Sequence, residues 1–354
     1  MGDRECGDHM PRIPLAISRS VWLLSFTAFA GGAILMAAAA LPAPLGGAGD
    51  RDACAEASGS AAIAACTRAI TSGNYERHAL AKLHYNRAFE YSRVGNLDSA
   101  IGGYTEAIRL DPSYALALYG RGNAWRSKGY NDRAIADYSD AIQLNPEDTG
   151  AYINRGTAWF AKHEYDLALA DYDEAIRLDP KDSTAFSNRG SMWHLKGDDD
   201  RAIVDYDEAI RLDPKNACAL YNRGIAWSSK GDNDRAIVDY SAAIRSDPNY
   251  AAAFLNRGNS WSEKGDNDRA IADYSEAIRL APKVAAFYYS RGGAWHEQGQ
   301  YQRAIADFDA AVRLNSKYDH ALYWRGIAKH RTGDVVGGES DIAAARKINP
   351  NVGK

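Results

Sequence analysis

At 354 residues the chain has room for two ordinary domains or one long array, and its net charge of −4 excludes a nucleic-acid partner held by bulk electrostatics. With 46% hydrophobic and 25% charged residues, general disorder is excluded as well. Tyrosine (21) and tryptophan (8) are plentiful, and both recur at a fixed interval.

Residues 1–50 differ from everything after them. Arg4, Arg12 and Arg19 precede an uncharged, mostly apolar stretch, residues 21–41, followed by Pro42, Pro44, Gly46 and Gly47. A basic flank, an apolar core and small residues describe a secretory signal peptide, with small-x-small triplets ending at Ala40 or Ala48 as cleavage sites. The 21-residue stretch is also long enough to span a bilayer, so an uncleaved membrane anchor is a second reading and a mis-assigned start a third. Cleaved or anchored, the stretch carries the remainder across a membrane: periplasmic or secreted in the first case, held at the membrane in the second.

Residues 51–80 read as a short, degenerate helix pair broken at Gly59. A fold-back there brings Cys54 and Cys66 together as a disulfide, stable in an oxidising compartment. The alternative is two small buried side chains in an Ala-rich pair. Cys218 stands apart and reads as a free thiol; Cys6 leaves with any signal peptide.

From residue 81 the chain repeats every 34 residues. Arg121, Arg155, Arg189, Arg223, Arg257, Arg291 and Arg325 each precede a glycine; Trp125, Trp159, Trp193, Trp227, Trp261 and Trp295 keep the same step, as do prolines from Pro112 to Pro282. In the unit 217–250, Leu220, Gly224 and Trp227 share one helical face, and Ala236, Tyr240 and Ala243 share another. Gly231 and Asp232 separate the two as a C-terminal stop and an N-terminal cap. Asp247-Pro248 ends the second, because the residue before proline leaves the helical region. Each unit is thus two helices of about 13 residues, roughly 20 Å long, with small residues where they approach. The interhelical turns fall at Gly129, His163, Gly197, Gly231, Gly265, Gly299 and Gly333. Ser316 replaces the proline between the last two units, which predicts a looser junction or a slightly longer helix there.

The pattern Leu220, Gly224, Trp227, Gly231, Ala236, Tyr240, Ala243 and Pro248 resembles the tetratricopeptide repeat (TPR), over eight units spanning residues 81–352. The resemblance implies an all-α solenoid of tandem helix-turn-helix units, a right-handed superhelix whose first helices line a concave groove for peptides or proteins. End units of such arrays are modified. Residues 54–72 fit the first cap, and in the last unit Gly338, Lys329 and Ile342 replace the usual Ala, Trp and Tyr.

Three sets of repeated side chains are candidates for more than packing. Arginine opens the Arg-Gly step, and sixteen residues on stand Asp137, Asp171, Asp205, Asp239, Asp273, Asp307 and Asp341, with Gly103 breaking the series. The pairs Arg121–Asp137, Arg155–Asp171, Arg189–Asp205 and Arg223–Asp239, with their equivalents, read as structural ion pairs; an arginine ladder for anionic ligands or a solvated surface are the alternatives. Asn86, Asn154, Asn188, Asn222 and Asn256 form the second set. By the resemblance they face the groove, where an amide suits the backbone of an extended peptide; bracing of the neighbouring repeat is the competing role. Tyr85, Tyr119, Tyr221, Tyr289 and Tyr323 flank them. The lysine-and-asparagine clamp of some TPRs starts at Lys82 and Asn86 but lacks its second lysine. The tryptophans read as core.

Nothing in the sequence assembles a catalytic site or a zinc motif from the eight scattered histidines. The expectation is a non-enzymatic scaffold without cofactor or metal, binding a protein or extended peptide and no nucleic acid. The alternative is a membrane-tethered structural or assembly subunit of a cell-envelope complex.

Overall fold

The computed structural model describes residues 48–72 and 75–353. Cys6 and the stretch 21–41, on which the signal and anchor readings rest, lie outside them. The described residues fall into two compact units, up to Met192 and from Trp193 onwards. They hold eighteen helices and no strand. None of these helices is long and apolar enough to cross a membrane.

The first unit contains α1 (Ala48–Glu56), α2 (Gly59–Ser72), α3 (Arg77–Arg93), α4 (Leu97–Leu110), α5 (Ala115–Ser127), α6 (Asn131–Leu144), α7 (Thr149–Ala161) and α8 (Tyr165–Leu178). The unit boundary falls within α9 (Ser183–Leu195). The second unit contains α10 (Asp199–Leu212), α11 (Ala217–Ser229), α12 (Asn233–Ser246), α13 (Ala251–Glu263), α14 (Asn267–Leu280), α15 (Ala285–Glu297), α16 (Tyr301–Leu314), α17 (Asp319–Arg331) and α18 (Val335–Ile348). In each unit, consecutive helices pack as hairpins stacked in tandem.

The local chemistry explains the pairs. Gly129, Gly231 and Gly265 all turn with φ of +79°, and His163 does the same work at +63°, a conformation that histidine tolerates better than most side chains. Asp232 caps α12 by accepting from the Arg235 amide at 3.0 Å. Helix α16 ends at Leu314 in step with its siblings, so the loss of proline at Ser316 neither lengthens it nor frees its end. Asn315 supplies the stop instead: it adopts the same extended conformation as Asp247, and its side chain accepts from the Lys317 amide at 3.1 Å.

Between the helices of a hairpin lies one aromatic ring. Tyr104, Tyr138, Tyr172, Tyr240 and Phe308 are buried, each ring covering on the order of 150–250 Å². All but Tyr104, opposite Ala88, fit because the facing helix carries glycine: a Cβ on Gly122 or Gly224 would lie 2.7 Å from Cε1 of Tyr138 or Tyr240. The tryptophans are not fully core as the sequence suggested. They are half-buried, and five of the six rings carry a guanidinium on the outer face, among them Trp125 with Arg133 at 4.6 Å, Trp227 with Arg235 at 4.3 Å and Trp261 with Arg269 at 4.4 Å, while Trp159 carries the Lys162 ammonium at 5.5 Å.

At the start of the first unit, α1 and α2 pack on each other and on α3. Cys54 and Cys66 are disulfide-bonded, Cα atoms 4.6 Å apart, with Leu83 of α3 beside them in the same cluster. Cys218 is also disulfide-bonded, which corrects the expectation of a free thiol.

Glycine at the ring position is therefore a packing requirement, and two substitutions separate it from helix propensity. Gly224→Ala gains about 1 kcal/mol of propensity but drives a methyl into Tyr240, where overpacking costs about 1–3 kcal/mol. Its melting temperature should fall. Gly293→Ala, with nothing within 4 Å of the added Cβ, should raise it. Circular dichroism melts of both variants check the pair; equal shifts would refute the packing account.

Candidate functional site

The inner face of each unit is identified by which helices touch. In the first unit α5 contacts both α3 and α7, and in the second α11, α13, α15 and α17 form a like series. The second helices of these hairpins, α4, α6 and α8 or α12, α14, α16 and α18, make no such contact with one another. A stack whose first helices touch and whose second helices are spread is curved with the first helices inside. The asparagine and tyrosine positions lie on these inner helices.

Those two sets turn out to be bonded to each other. Asn154 on α7 donates from Nδ2 to the Tyr119 hydroxyl of α5 at 2.7 Å and to Asn123 Oδ1 at 3.2 Å. Asn256 on α13 donates to the Tyr221 hydroxyl of α11 at 3.0 Å. It is 2% exposed, which removes it from the solvent-facing wall on which the sequence reading placed it. Asn86 and Asn188 are half-buried and their amides form no hydrogen bond among the described residues. Asn222 is half-buried too. Tyr85, Tyr119 and Tyr221 are half-buried, each ring tilted against the buried tyrosine of its own hairpin at 5.7–5.9 Å. Burial pushes the Tyr85 hydroxyl above its ordinary value and that of Tyr289 up to about 12. Both are therefore neutral hydroxyls at physiological pH.

One further position on these helices was not singled out from the sequence. Three residues beyond the asparagine step stand Asn123, Thr157, Asn259 and Gly293. Asn123 and Asn259 accept from the buried hydroxyls of Tyr138 and Tyr274 at 2.7 and 2.8 Å, and Thr157 lies 3.3 Å from that of Tyr172. Where the ring is Phe308 and has no hydroxyl, the position is Gly293. Burying a hydroxyl requires a partner, and ring and partner agree at these four hairpins, whereas Tyr104 and Tyr240 have Phe89 and Ile225 at this step. The arginine eight residues after each of five tryptophans was readable in the 34-residue register.

The arginine series is structural and joins three helices. Arg121 forks onto Asp137 through Nε and Nη2, both at 2.8 Å, and its Nη1 reaches Thr105 on the preceding hairpin at 3.2 Å. Arg155 bonds Asp171 and Ser139 in the same way. In the second unit Arg223 holds Asp239 at 2.6–2.8 Å and Asp207 at 2.5 Å. Arg257, Arg291 and Arg325 fork likewise onto Asp273, Asp307 and Asp341. Arg189 reaches Asp173 of the preceding helix at 2.7 Å, and Asp205 is buried. The forked arginine side chains are only 16–23% exposed and the aspartates 4–10%. Matched carboxylates and burial leave no ladder for anions.

Arg87 is the exception. Gly103 stands where aspartate would be, and a Cβ there would meet the Ala88 methyl at 2.8 Å. Arg87 keeps one bond, to Thr67 at 3.3 Å, and its buried Nε has no partner.

Among the described residues no three His, Cys, Asp or Glu side chains gather as a metal site. The half-buried His194–Asp199 pair, 2.5 Å apart, has no nucleophile bonded to it among the described residues.

Two expectations follow. Asp137→Ala leaves Arg121 with one hydroxyl partner, whereas Asp239→Ala leaves Arg223 with Asp207. Breaking a buried pair costs about 3–5 kcal/mol, so Asp137→Ala should lower the melting temperature the more of the two; the reverse order would refute the three-helix account. Phe308→Tyr should destabilise by about 1–3 kcal/mol through its unpartnered hydroxyl. Adding Gly293→Asn should recover much of that loss, and failure of the double variant to recover any would separate the two positions.

Sequence profiles described as "Tetratricopeptide repeat" match residues 85–149, 221–285, 255–319 and 297–352, more than half of the chain, and others residues 150–182 and 190–227. A search of the curated proteins found no match. Among solved structures, a tetratricopeptide repeat protein from Parabacteroides merdae is 21% identical, covering 72% of this chain and 98% of its own, with a TM-score of 0.54. PilF of Pseudomonas aeruginosa is 18% identical, covering 59% of this chain and 95% of its own, at 0.53. Likenesses at these identities show the fold alone. With the profiles, the register and the stacked hairpins in agreement, the chain belongs to the tetratricopeptide repeat family.

Proposed function

We propose that this protein is an exported scaffold that binds a peptide or protein segment on the inner faces of its helical units. The tetratricopeptide fold is a protein-interaction scaffold. The observation that carries the finer reading is the contact pattern, which puts amphipathic tyrosines and uncommitted amides together on the inner helices. An amide offers donor and acceptor to a peptide backbone whatever its sequence. Tyrosine adds contact area at small conformational cost.

Export is supported by the arginine-flanked apolar stretch of residues 21–41 and by the Cys54–Cys66 disulfide, which suits an oxidising compartment. The length of the apolar stretch favours a second reading, in which it is retained and the scaffold is a tethered subunit of a cell-envelope assembly. The mass of the mature protein distinguishes cleavage from retention.

The asparagines divide into two roles, and that division is the test. Asn188→Ala removes an uncommitted amide and should weaken peptide binding by up to roughly tenfold, since one hydrogen bond contributes about 0.5–1.5 kcal/mol, with the melting temperature unchanged. Asn154→Ala removes a bond between repeats and should lower the melting temperature first. Anisotropy titration with a peptide selected on the purified protein, beside thermal melts, reads both. A folded Asn188→Ala protein of unchanged affinity would take this amide out of the site.

A further inference from the structure

We infer that the inner face of the first unit selects partner segments that pair a large apolar residue with an acidic one. The inference rests on reading that face as a peptide site, and it adds the chemistry of what is bound.

An apolar surface is left uncovered there. Phe89 of α3 is 47% exposed and Leu116 of α5 is 52% exposed. Phe89 stacks on Tyr85 one turn earlier, centroids 6.4 Å apart, and Tyr85 tilts against Tyr104 at 5.7 Å. The Tyr104 ring in turn lies under Gly120, where a Cβ would meet it at 2.7 Å. Gly120 stands at the step that carries asparagine in five other repeats, and it is one turn from Leu116 on the same face. The missing side chain leaves a shallow step over the buried Tyr104 ring, beside the exposed Phe89 and Leu116.

The charges around this surface have one sign. Helices α5 and α7 contain no acidic residue, and α3 contains only Glu90. Glu90 is buried and committed, accepting from the Gly59 amide at 2.6 Å and from Arg93 at 2.9 Å. Lys82, one turn before Tyr85, is exposed and forms no ion pair among the described residues. Arg126 lies on the α5 stripe of Leu116, Gly120 and Asn123; it pairs with no carboxylate, and its Nε has no hydrogen-bond partner. These two cations without a carboxylate contrast with the forked Arg121 on α5 and with the chain's net charge of −4. In the second unit α13, α15 and α17 each carry an acid, Glu263, Glu297 and Asp319, and only α11 has none.

The spacing sets a register. Ten residues of helix separate Leu116 from Arg126, about 15 Å. An extended peptide covers that in roughly four or five residues. An apolar side chain seated on Phe89 and Leu116 therefore places a carboxylate on Arg126 when it stands four or five positions away.

Selection of a randomised decapeptide library on the immobilised full chain tests this. The expected winners carry Phe, Leu, Ile or Met with Glu or Asp four or five positions away. Replacing that acid by Lys should weaken binding at least tenfold in anisotropy titrations. Arg126→Glu should move the selection to Lys or Arg at the acid position. Lys82→Glu, a change at an exposed residue, should weaken the acidic winners, and Leu116→Ser should weaken winners of every charge, both with an unchanged melting temperature. Winners with no acid preference, or indifferent to Lys82→Glu and Leu116→Ser, overturn this inference and leave the peptide-binding reading standing. A library in which nothing is enriched overturns both.

Discussion

A charged fork repeated through each unit governs the rest of the structure. Arginine sixteen residues from a partner in either direction holds the carboxylate of its own hairpin with two N–H groups and the preceding hairpin with a third, as Arg223 does with Asp239 and Asp207. A planar guanidinium suits this because its donors lie in a fixed geometry, which a lysine cannot reproduce. Replacing such a pair with well-packed apolar residues is often neutral or favourable for stability, so its value lies elsewhere. Here the fork joins three helices that each offer the others only one apolar stripe, and it admits one register of the stack. The aromatic ring, the glycine facing it and the hydroxyl partner then have fixed positions to fill.

This constraint also limits where a ligand can be held. Each forked arginine has already spent its charge, and the lysines that end the inner helices reach back to aspartates of the preceding hairpin, as Lys230 does to Asp200 at 2.6 Å. Asn154 and Asn256 are likewise committed between repeats. What remains for a partner is the set of groups that the scaffold does not use: the Asn86 and Asn188 amides, Lys82, Arg126, and the uncovered Phe89 and Leu116. In an array made by repetition, recognition is written in departures from the repeat, because whatever recurs in every unit is needed to stack the units.

The same distinction explains what the sequence disclosed. The hairpins, their turns and the arginine–aspartate pairs were legible because a 34-residue period displays each structural need several times over, including the positive φ at His163. Tryptophan was misjudged because its position relative to Leu220-type residues indicates the face it occupies and not how much of the ring is covered; the covering arginine comes from the second helix. The asparagines were ambiguous for a deeper reason. An amide facing a groove and an amide facing the next repeat stand at one helical position, and only the tyrosine 35 residues earlier decides between them. Asn154 and Asn256 follow Tyr119 and Tyr221, whereas Asn188 follows Ile153 and has no hydroxyl to bond.

The first hairpin shows how an array can end without its governing contact. Arg87 has no aspartate because Gly103 occupies the place, and Gly103 is there because Ala88 stands where the other repeats have glycine. The methyl has moved from one helix to the other, keeping the close approach and discarding the carboxylate. The registration that the fork supplies elsewhere must then come from another source. Glu90, buried on the same helix, accepts from the Gly59 amide at the start of α2, and the Cys54–Cys66 bond fixes α2 to α1. A covalent link and a buried carboxylate on a helix N-terminus thus replace the ion pair at this end of the described hairpins. At the other end the fork is retained and reinforced: Lys329, in the tryptophan position, joins Arg325 on Asp341 at 2.8 Å. Burial alone would raise the Asp341 carboxyl, yet the two cations hold it below its ordinary value. The two ends therefore solve one problem in opposite ways, the first by dispensing with the buried charge and the last by doubling its counterions. The first does so beside inner helices whose single acid, Glu90, is buried and committed.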